Sequence, residues 1–190
     1  MKPRFGMLLF CLFLVSVPFT SAPSALGSIL PDACGSDSVK FDVKLQKNPP
    51  APAGPADGKA QIVFIEISDS KKQFACRASF TSCDTLARFG VDGKWVGATK
   101  GKAFFTVSID PGVHHLCGVV GNKIGMEALT AEAGKVYYYQ ANYNVEGTQY
   151  GNAEHPNYQI KKSADFTFVS EDEGKYRVKI SDLSTATQKE

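Results

Sequence analysis

The sequence lacks an excess of charge of either sign. Its formal net charge is +2 at pH 7, and Lys2 and Arg4 supply both charges in an N-terminal stretch without acidic residues. Beyond that stretch the charges balance, and no run of basic residues occurs. Affinity for nucleic acid comes largely from basic contacts to phosphates. We therefore expect no nucleic-acid partner.

The sequence also lacks an apolar run long enough to span a bilayer, which takes about 20 residues. The run Met7–Val17 is shorter; the two basic residues precede it, and Thr20-Ser21-Ala22 follows it. That order is typical of a secretory signal peptide. We predict that residues 1–25 are a signal peptide, that the mature chain is periplasmic or secreted, and that no transmembrane segment remains after its removal. An uncleaved N-terminal anchor is the alternative.

Motifs of catalysis and metal binding are missing as well. The chain contains neither G-x-S-x-G nor H-E-x-x-H, and its carboxylates are scattered. His114 and His115 are adjacent, so a regular strand would point them to opposite faces, where they could not bind one ion together. One of them with His155 is the remaining metal-binding possibility. We predict no cofactor and favour a non-enzymatic protein.

The cysteines lack the two tight pairs of a zinc site, which is the alternative to disulfides. Cys11 would leave with the signal peptide, and an even number of cysteines in an exported chain favours disulfide bonds. Three pairings of the four remaining cysteines are possible. We predict that Cys34 pairs with Cys117 and Cys76 with Cys83.

Regular alternation is present, and it predicts strands. Val39–Leu45 alternates apolar with polar residues, as a half-buried strand does, whereas Ala60–Ser68 is apolar on both faces until Glu66, as a central strand is. The prolines between Asn48 and Lys59 predict a linker or crossing loop. Val136–Val145 predicts a further strand, with Tyr137, Tyr139, Ala141 and Tyr143 facing inward.

Turn residues complete the prediction of the fold. Asp92-Gly93 predicts a two-residue hairpin, and Pro111-Gly112 predicts a type II turn that would pair Ile109 with His114; both glycines should have positive φ. Ser170 with the acids after it predicts a helix start, whereas the alternation of Tyr176, Val178 and Ile180 would suit a strand. The fold class is all-β, an antiparallel β-sandwich of immunoglobulin-like or transthyretin-like character with a possible short C-terminal helix. Its predicted parts are an N-terminal arm with one strand and a Pro-rich linker (26–57), the sandwich (58–182) and a tail (183–190).

A long polar segment, Glu146–Ile160, is the predicted contact surface. Long loops in compact domains are often functional, and Tyr150, His155 and Tyr158 combine stacking faces with hydrogen-bonding groups. This candidate binding loop suits an uncharged polymer such as a cell-envelope glycan, or a protein of the envelope. An inert loop folded back on the sheet is the alternative.

Three segments, VDGKWVG at 91–97, PGVHHLC at 111–117 and AEAGKVYYY at 131–139, resemble those of one family. The match to domain of unknown function 2846, in its acidobacterial type, covers about residues 58–182, and similarity to PEGA modules is weaker. The resemblance implies a β-rich exported bacterial domain and no assigned activity or site residues. We therefore expect a binding or envelope-associated module. The alternatives are a small-ligand or metal carrier, or a hydrolase with a site not visible in sequence.

Overall fold

The computed structural model describes residues 30–68, 86–152 and 156–189, with backbone alone for 144–151, 156–158, 160 and 162. Strands and one helix make up most of these residues. In chain order they are β1 (Lys40–Gln46), β2 (Ala60–Ser68), β3 (Leu86–Val91), β4 (Lys94–Lys100), β5 (Ala103–Ile109), β6 (Gly112–Val120), β7 (Lys123–Ala131), β8 (Val136–Gly151), β9 (Pro156–Val169), α1 (Glu171–Lys179) and β10 (Asp182–Lys189).

The strands form two sheets, which confirms the predicted all-β, sandwich-like fold. One sheet has the order β1-β10-β5-β2-β8-β9 and the other β4-β3-β6-β7. Most neighbours are antiparallel, but β10 with β5 and β2 with β8 are parallel. Aromatic rings fill the space between the sheets: Phe64 lies 5.3 Å from Phe105 and 4.9 Å from Phe89, measured between ring centroids.

Strand β2 is the central strand that its apolar sequence predicts. Ile62 and Phe64 face the other sheet. Val63 and Ile65 face outward, where they form a second apolar cluster together with Phe104. All of these side chains are buried. Residues on both faces of β2 are therefore covered, and the six-stranded sheet has an apolar outer face as well as an inner one.

The two predicted turns had different outcomes. Asp92 and Gly93 join β3 to β4 with φ of 50° and 80°, which confirms the hairpin. Gly112 has the predicted positive φ, 139°, but β5 and β6 belong to different sheets. The predicted pairing of Ile109 with His114 is therefore wrong. Pro and Gly determine that the chain bends here, but the burial of apolar faces determines which strand pairs with which.

The polar segment Glu146–Ile160, which is predicted to be a loop, is mostly paired strand in the structure. Residues 146–160 belong largely to the arms of the β8–β9 hairpin, which stay in register from Tyr138 opposite Val169 to Gly151 opposite Pro156. A ribbon that is polar on both faces shows no apolar alternation, so its sequence is that of a loop.

The predicted tail is a strand too. Residues 182–189 form β10, between β1 and β5, with Val43 opposite Ala186. Serine, threonine and glutamine fill β10, so the sequence lacked the apolar pattern that indicates strands.

The predicted C-terminal helix is confirmed. Ser170 caps α1, and its hydroxyl oxygen accepts a hydrogen bond from the Glu173 amide at 3.2 Å. Gly174 faces the sheet, where a Cβ atom would overlap the ring of Tyr138. The missing side chain lets α1 lie directly on the outer face of the six-stranded sheet.

The N-terminal arm is fastened to the outer face of the other sheet. Cys34 and Cys117 form the expected disulfide, with their Cα atoms 5.2 Å apart. The Trp95 ring nitrogen donates to the Ser36 carbonyl at 2.7 Å. Cys76 and Cys83, the other predicted pair, lie outside the described residues.

We expect Gly118→Ala to lower the free energy of unfolding by about 1–3 kcal/mol, the usual effect of overpacking. The ring of Phe166 lies across Gly118 and Gly125, and a Cβ atom at either position would overlap it. Urea denaturation measures the change. Gly54→Ala is the control, because a Cβ there meets nothing within 4 Å. Equal stability of the two variants would show that Phe166 does not pack against this surface.

Candidate functional site

A groove on the outer face of the six-stranded sheet is the candidate site. Its cavity measures about 680 Å³. One wall is the segment 48–54, which we call the strap, and the other is the second half of α1 with the residues that follow it. We call the whole feature the strap groove. The floor side chains come from three adjacent strands: Gln61, Val63, Phe104, Val136 and Tyr138.

The floor follows from the register of the central strands. The parallel pairing of β2 with β8 puts Val63 opposite Tyr138 and Gln61 opposite Val136, and Phe104 of β5 lies opposite Ile65. Tyr139 lies on the inner face, as the alternation in β8 predicts, and is buried there. Tyr138 points to the opposite, outer face, and it too is buried, because α1 covers it.

The strap is an extended segment rich in proline. Pro49, Pro50 and Pro52 have no amide hydrogen to donate, and within the described residues no backbone hydrogen bond joins residues 49–54 to a strand. The side-chain amide of Gln61 donates a hydrogen bond from its Nε2 to the Ala53 carbonyl at 3.0 Å. One side-chain hydrogen bond from the floor thus holds the strap over the sheet.

Two lysines of α1 line the opposite wall. Lys175 forms an ion pair with Glu171 at 2.6 Å, and the hydrogen bond to that carboxylate raises the pKa of Lys175. In the part of the chain described, the ammonium group of Lys179 forms no hydrogen bond or ion pair. Asp182 contributes a carboxylate to the lining. Burial raises the pKa of the Tyr138 hydroxyl, which Lys175 lowers in part.

None of the described residues of the predicted binding loop, Glu146–Ile160, lines this groove. Tyr150 lies in β8 opposite Asn157, and Tyr158 lies in β9 opposite Gln149. The side chains of both tyrosines, and all of His155, lie outside the described parts of the chain. Their role in binding stays a prediction.

A second polar cluster fastens two turns at one end of the sandwich. His114 Nδ1 lies 2.6 Å from Asp92 Oδ2, and His114 Nε2 lies 2.8 Å from the Asp110 carbonyl. The other carboxylate oxygen of Asp92 accepts from the His115 amide at 2.8 Å. Both ring nitrogens of His114 are therefore engaged by the fold, and this cluster holds the β3–β4 and β5–β6 turns together.

Protonation of His114 strengthens this cluster. Partial burial lowers the pKa of His114, but the hydrogen bonds to Asp92 and Asp110 and their charges outweigh it, so the pKa is raised. Partial burial likewise raises the pKa of Asp92, but hydrogen bonds from His115 and His114 leave it lowered. The charged pair is thus stabilising at pH values between these two pKa values.

The stability difference between the protein and His114→Gln should shrink as the pH rises from about 6 to about 9. A raised histidine pKa stabilises the fold fully below the ordinary value of 6.5, and this stabilisation is lost as the pH rises through the folded value. Urea denaturation across the pH series measures it. His115→Gln is the control, because that side chain is exposed. A difference that stays constant with pH would contradict this account of the cluster.

A buried acid is the third polar feature. Glu66 is fully buried at the end of β2, and the Thr99 hydroxyl donates to its Oε2 at 2.7 Å. Its Oε1 has no hydrogen-bond partner among the described residues. Burial raises the pKa of Glu66 to about 8, although hydrogen bonds from Thr99 and Gly101 lower it in part. In the sequence, the only sign of this buried acid is that Glu66 interrupts an apolar run.

Comparison with family models, with curated proteins and with solved structures gives no significant match. Across the described residues, no group of three or more His, Cys, Asp or Glu side chains is placed to hold a metal ion. Within the same ranges, α1 is neither long nor apolar enough to span a membrane.

Proposed function

We propose that this chain is an exported, non-enzymatic binding module of the bacterial cell envelope and that the strap groove is its binding site. The groove carries the proposal: a cavity of about 680 Å³ is within the range of small-ligand sites, and its lining is mostly apolar with a few polar groups, as in such sites. The signal-like residues 1–25 and the Cys34–Cys117 disulfide support export, because disulfides persist in oxidising compartments.

The polar groups of the groove favour binding over chemistry. The Ser181 hydroxyl donates to the Arg177 carbonyl at 2.7 Å, the Gln61 amide donates to the strap, and Lys175 is paired with Glu171. A nucleophile needs a neighbouring base that takes its proton, whereas Ser181 already directs its proton to a backbone carbonyl.

We also propose kinship with the exported proteins that carry domain of unknown function 2846. The segments 91–97 and 111–117 support it: the first contains the β3–β4 hairpin turn, and the second begins at the bend between the sheets. That kinship would agree with a binding role, since it implies no activity.

The test uses 8-anilinonaphthalene-1-sulfonate, which fluoresces in apolar sites, and two tryptophan substitutions at exposed alanines. Ala51→Trp places a large ring in the strap, and Ala128→Trp places one on β7, on the outer face of the other sheet. Ala51 and Ala128 are both exposed, so neither change should disturb the core. We expect Ala51→Trp to weaken the fluorescence titration about tenfold, since an occupied site cannot admit the dye.

Ala128→Trp should leave that titration unchanged. Weakening by Ala128→Trp alone would move the binding to the exposed face around Met126, and no saturable binding to the unsubstituted protein would overturn the proposal.

A further inference from the structure

We infer that the ligand of the strap groove is an anionic amphiphile: a hydrocarbon chain that lies in the groove and ends in a carboxylate held by Lys179. This inference deepens the proposed function and rests on it. Three features of the lining indicate the ligand's chemistry: its apolar side chains, the polar groups that already have hydrogen-bond partners, and its charged groups.

The lining favours a hydrocarbon body. Apolar side chains form most of the floor and of the strap, and Val178 and Ile180 add to them on the α1 side, so a ligand that fills the groove exchanges water for carbon contacts. Proline rings line the strap side of the groove, and the aliphatic side chains of Val178 and Ile180 line the other side. The apolar lining residues are Pro49, Pro50, Ala51, Pro52, Ala53, Val63, Phe104, Val136, Val178 and Ile180.

The polar groups disfavour a sugar in this groove. Gln61, Ser181 and Lys175 already have partners in the protein, and the strap prolines have no N–H to donate. A hydroxyl that lies against these apolar or already paired groups gives up its hydrogen bonds to water without replacing them, which costs free energy for each one. A ligand with few hydroxyls avoids this cost.

The charge of the lining favours one acidic group. Lys175 and Lys179 supply two cationic groups to the lining, and Asp182 is the one carboxylate among the lining residues described. Glu171 engages Lys175, which leaves the ammonium group of Lys179 to receive a ligand. A carboxylate forms charge-assisted hydrogen bonds with an ammonium group, and these are stronger than those of a neutral hydroxyl.

Calorimetric titration of the mature chain at pH 7.5 tests the inference with three ligands of the same chain length: dodecanoate, 1-dodecanol and dodecyltrimethylammonium. Each is kept below the concentration at which it aggregates. We expect dodecanoate to bind about tenfold more tightly than dodecanol, because a charged hydrogen bond replaces a neutral one, and we expect the cation to bind most weakly.

Lys179→Met keeps the apolar stem of the side chain and removes its charge. The preference for dodecanoate over dodecanol should disappear in this variant and persist in Lys44→Met, which removes an exposed lysine of β1 outside the groove. Equal loss of preference in both variants would overturn the role of Lys179.

The outcomes separate the two proposals. Equal binding of dodecanoate and dodecanol to the unsubstituted protein would overturn the anionic ligand and leave the groove as a binding site. Failure of all three ligands to bind, together with no saturable binding of the fluorescent dye, would overturn both.

Discussion

Replacing Glu66 with glutamine should remove a fall in stability that we expect between about pH 5 and pH 8. Burial raises the pKa of Glu66 to about 8, so the folded protein keeps a proton that the unfolded chain releases near the ordinary value of 4.5. In this window the folded state binds more protons, and the free energy of unfolding therefore decreases with rising pH. The slope for one group is about 1.4 kcal/mol per pH unit.

Summed over the window, the contribution of Glu66 amounts to several kcal/mol, about 4 at most. Glutamine cannot ionise, so the stability of Glu66→Gln relative to the unsubstituted protein should increase steadily from pH 5 to pH 8. The comparison cancels the contribution of His114, which both proteins share. Urea denaturation at pH 5, 6, 7 and 8 measures the difference.

The matched control is Glu132→Gln, because Glu132 is an exposed carboxylate just after β7. The free energy of unfolding of Glu132→Gln, plotted against pH, should run parallel to that of the unsubstituted protein. Parallel curves for Glu66→Gln as well would mean that Glu66 is ionised in the folded protein, and would contradict the buried, protonated acid.

Removal of the disulfide by Cys34→Ala with Cys117→Ala should lower the free energy of unfolding by on the order of 4 kcal/mol, because the bond restricts a long loop of the unfolded chain. The two cysteines are 83 residues apart, and the bond fastens the arm beside Trp95 and Val119. Denaturation of both proteins without reducing agent measures the loss. A loss below about 1 kcal/mol would show that the bond does not form in the protein or does not constrain it.

Features that depend on neighbouring residues could be predicted from the sequence. The Asp92-Gly93 hairpin follows from two residues that accept positive φ, and the start of α1 follows from Ser170 and its acids. Strand β2 follows from an apolar run whose length and flanks suit a buried strand. In each case the physical cause lies within a few residues of its effect.

Features that depend on distant partners could not be predicted. The Pro111-Gly112 bend carries the chain from one sheet to the other because β5 packs between β2 and β10, and no local pattern reports that choice. Strand β10 pairs with β1 across most of the chain and has a polar sequence. The strap groove is assembled from the Pro-rich segment, three strands and α1, so no single stretch indicates it.

The most direct test of the groove as the binding site is nuclear magnetic resonance of the ¹⁵N-labelled protein during titration with dodecanoate. Ala51, Ala53 and Gly54 of the strap line the groove, as do Lys175 and residues 178–182, and the amides of these residues report on it. The account predicts that chemical-shift changes concentrate in these amides and saturate together with the calorimetric binding curve. Saturable changes centred on Val113 of β6 and Met126 of β7, two exposed apolar side chains of the other sheet, with the strap unaffected, would contradict it.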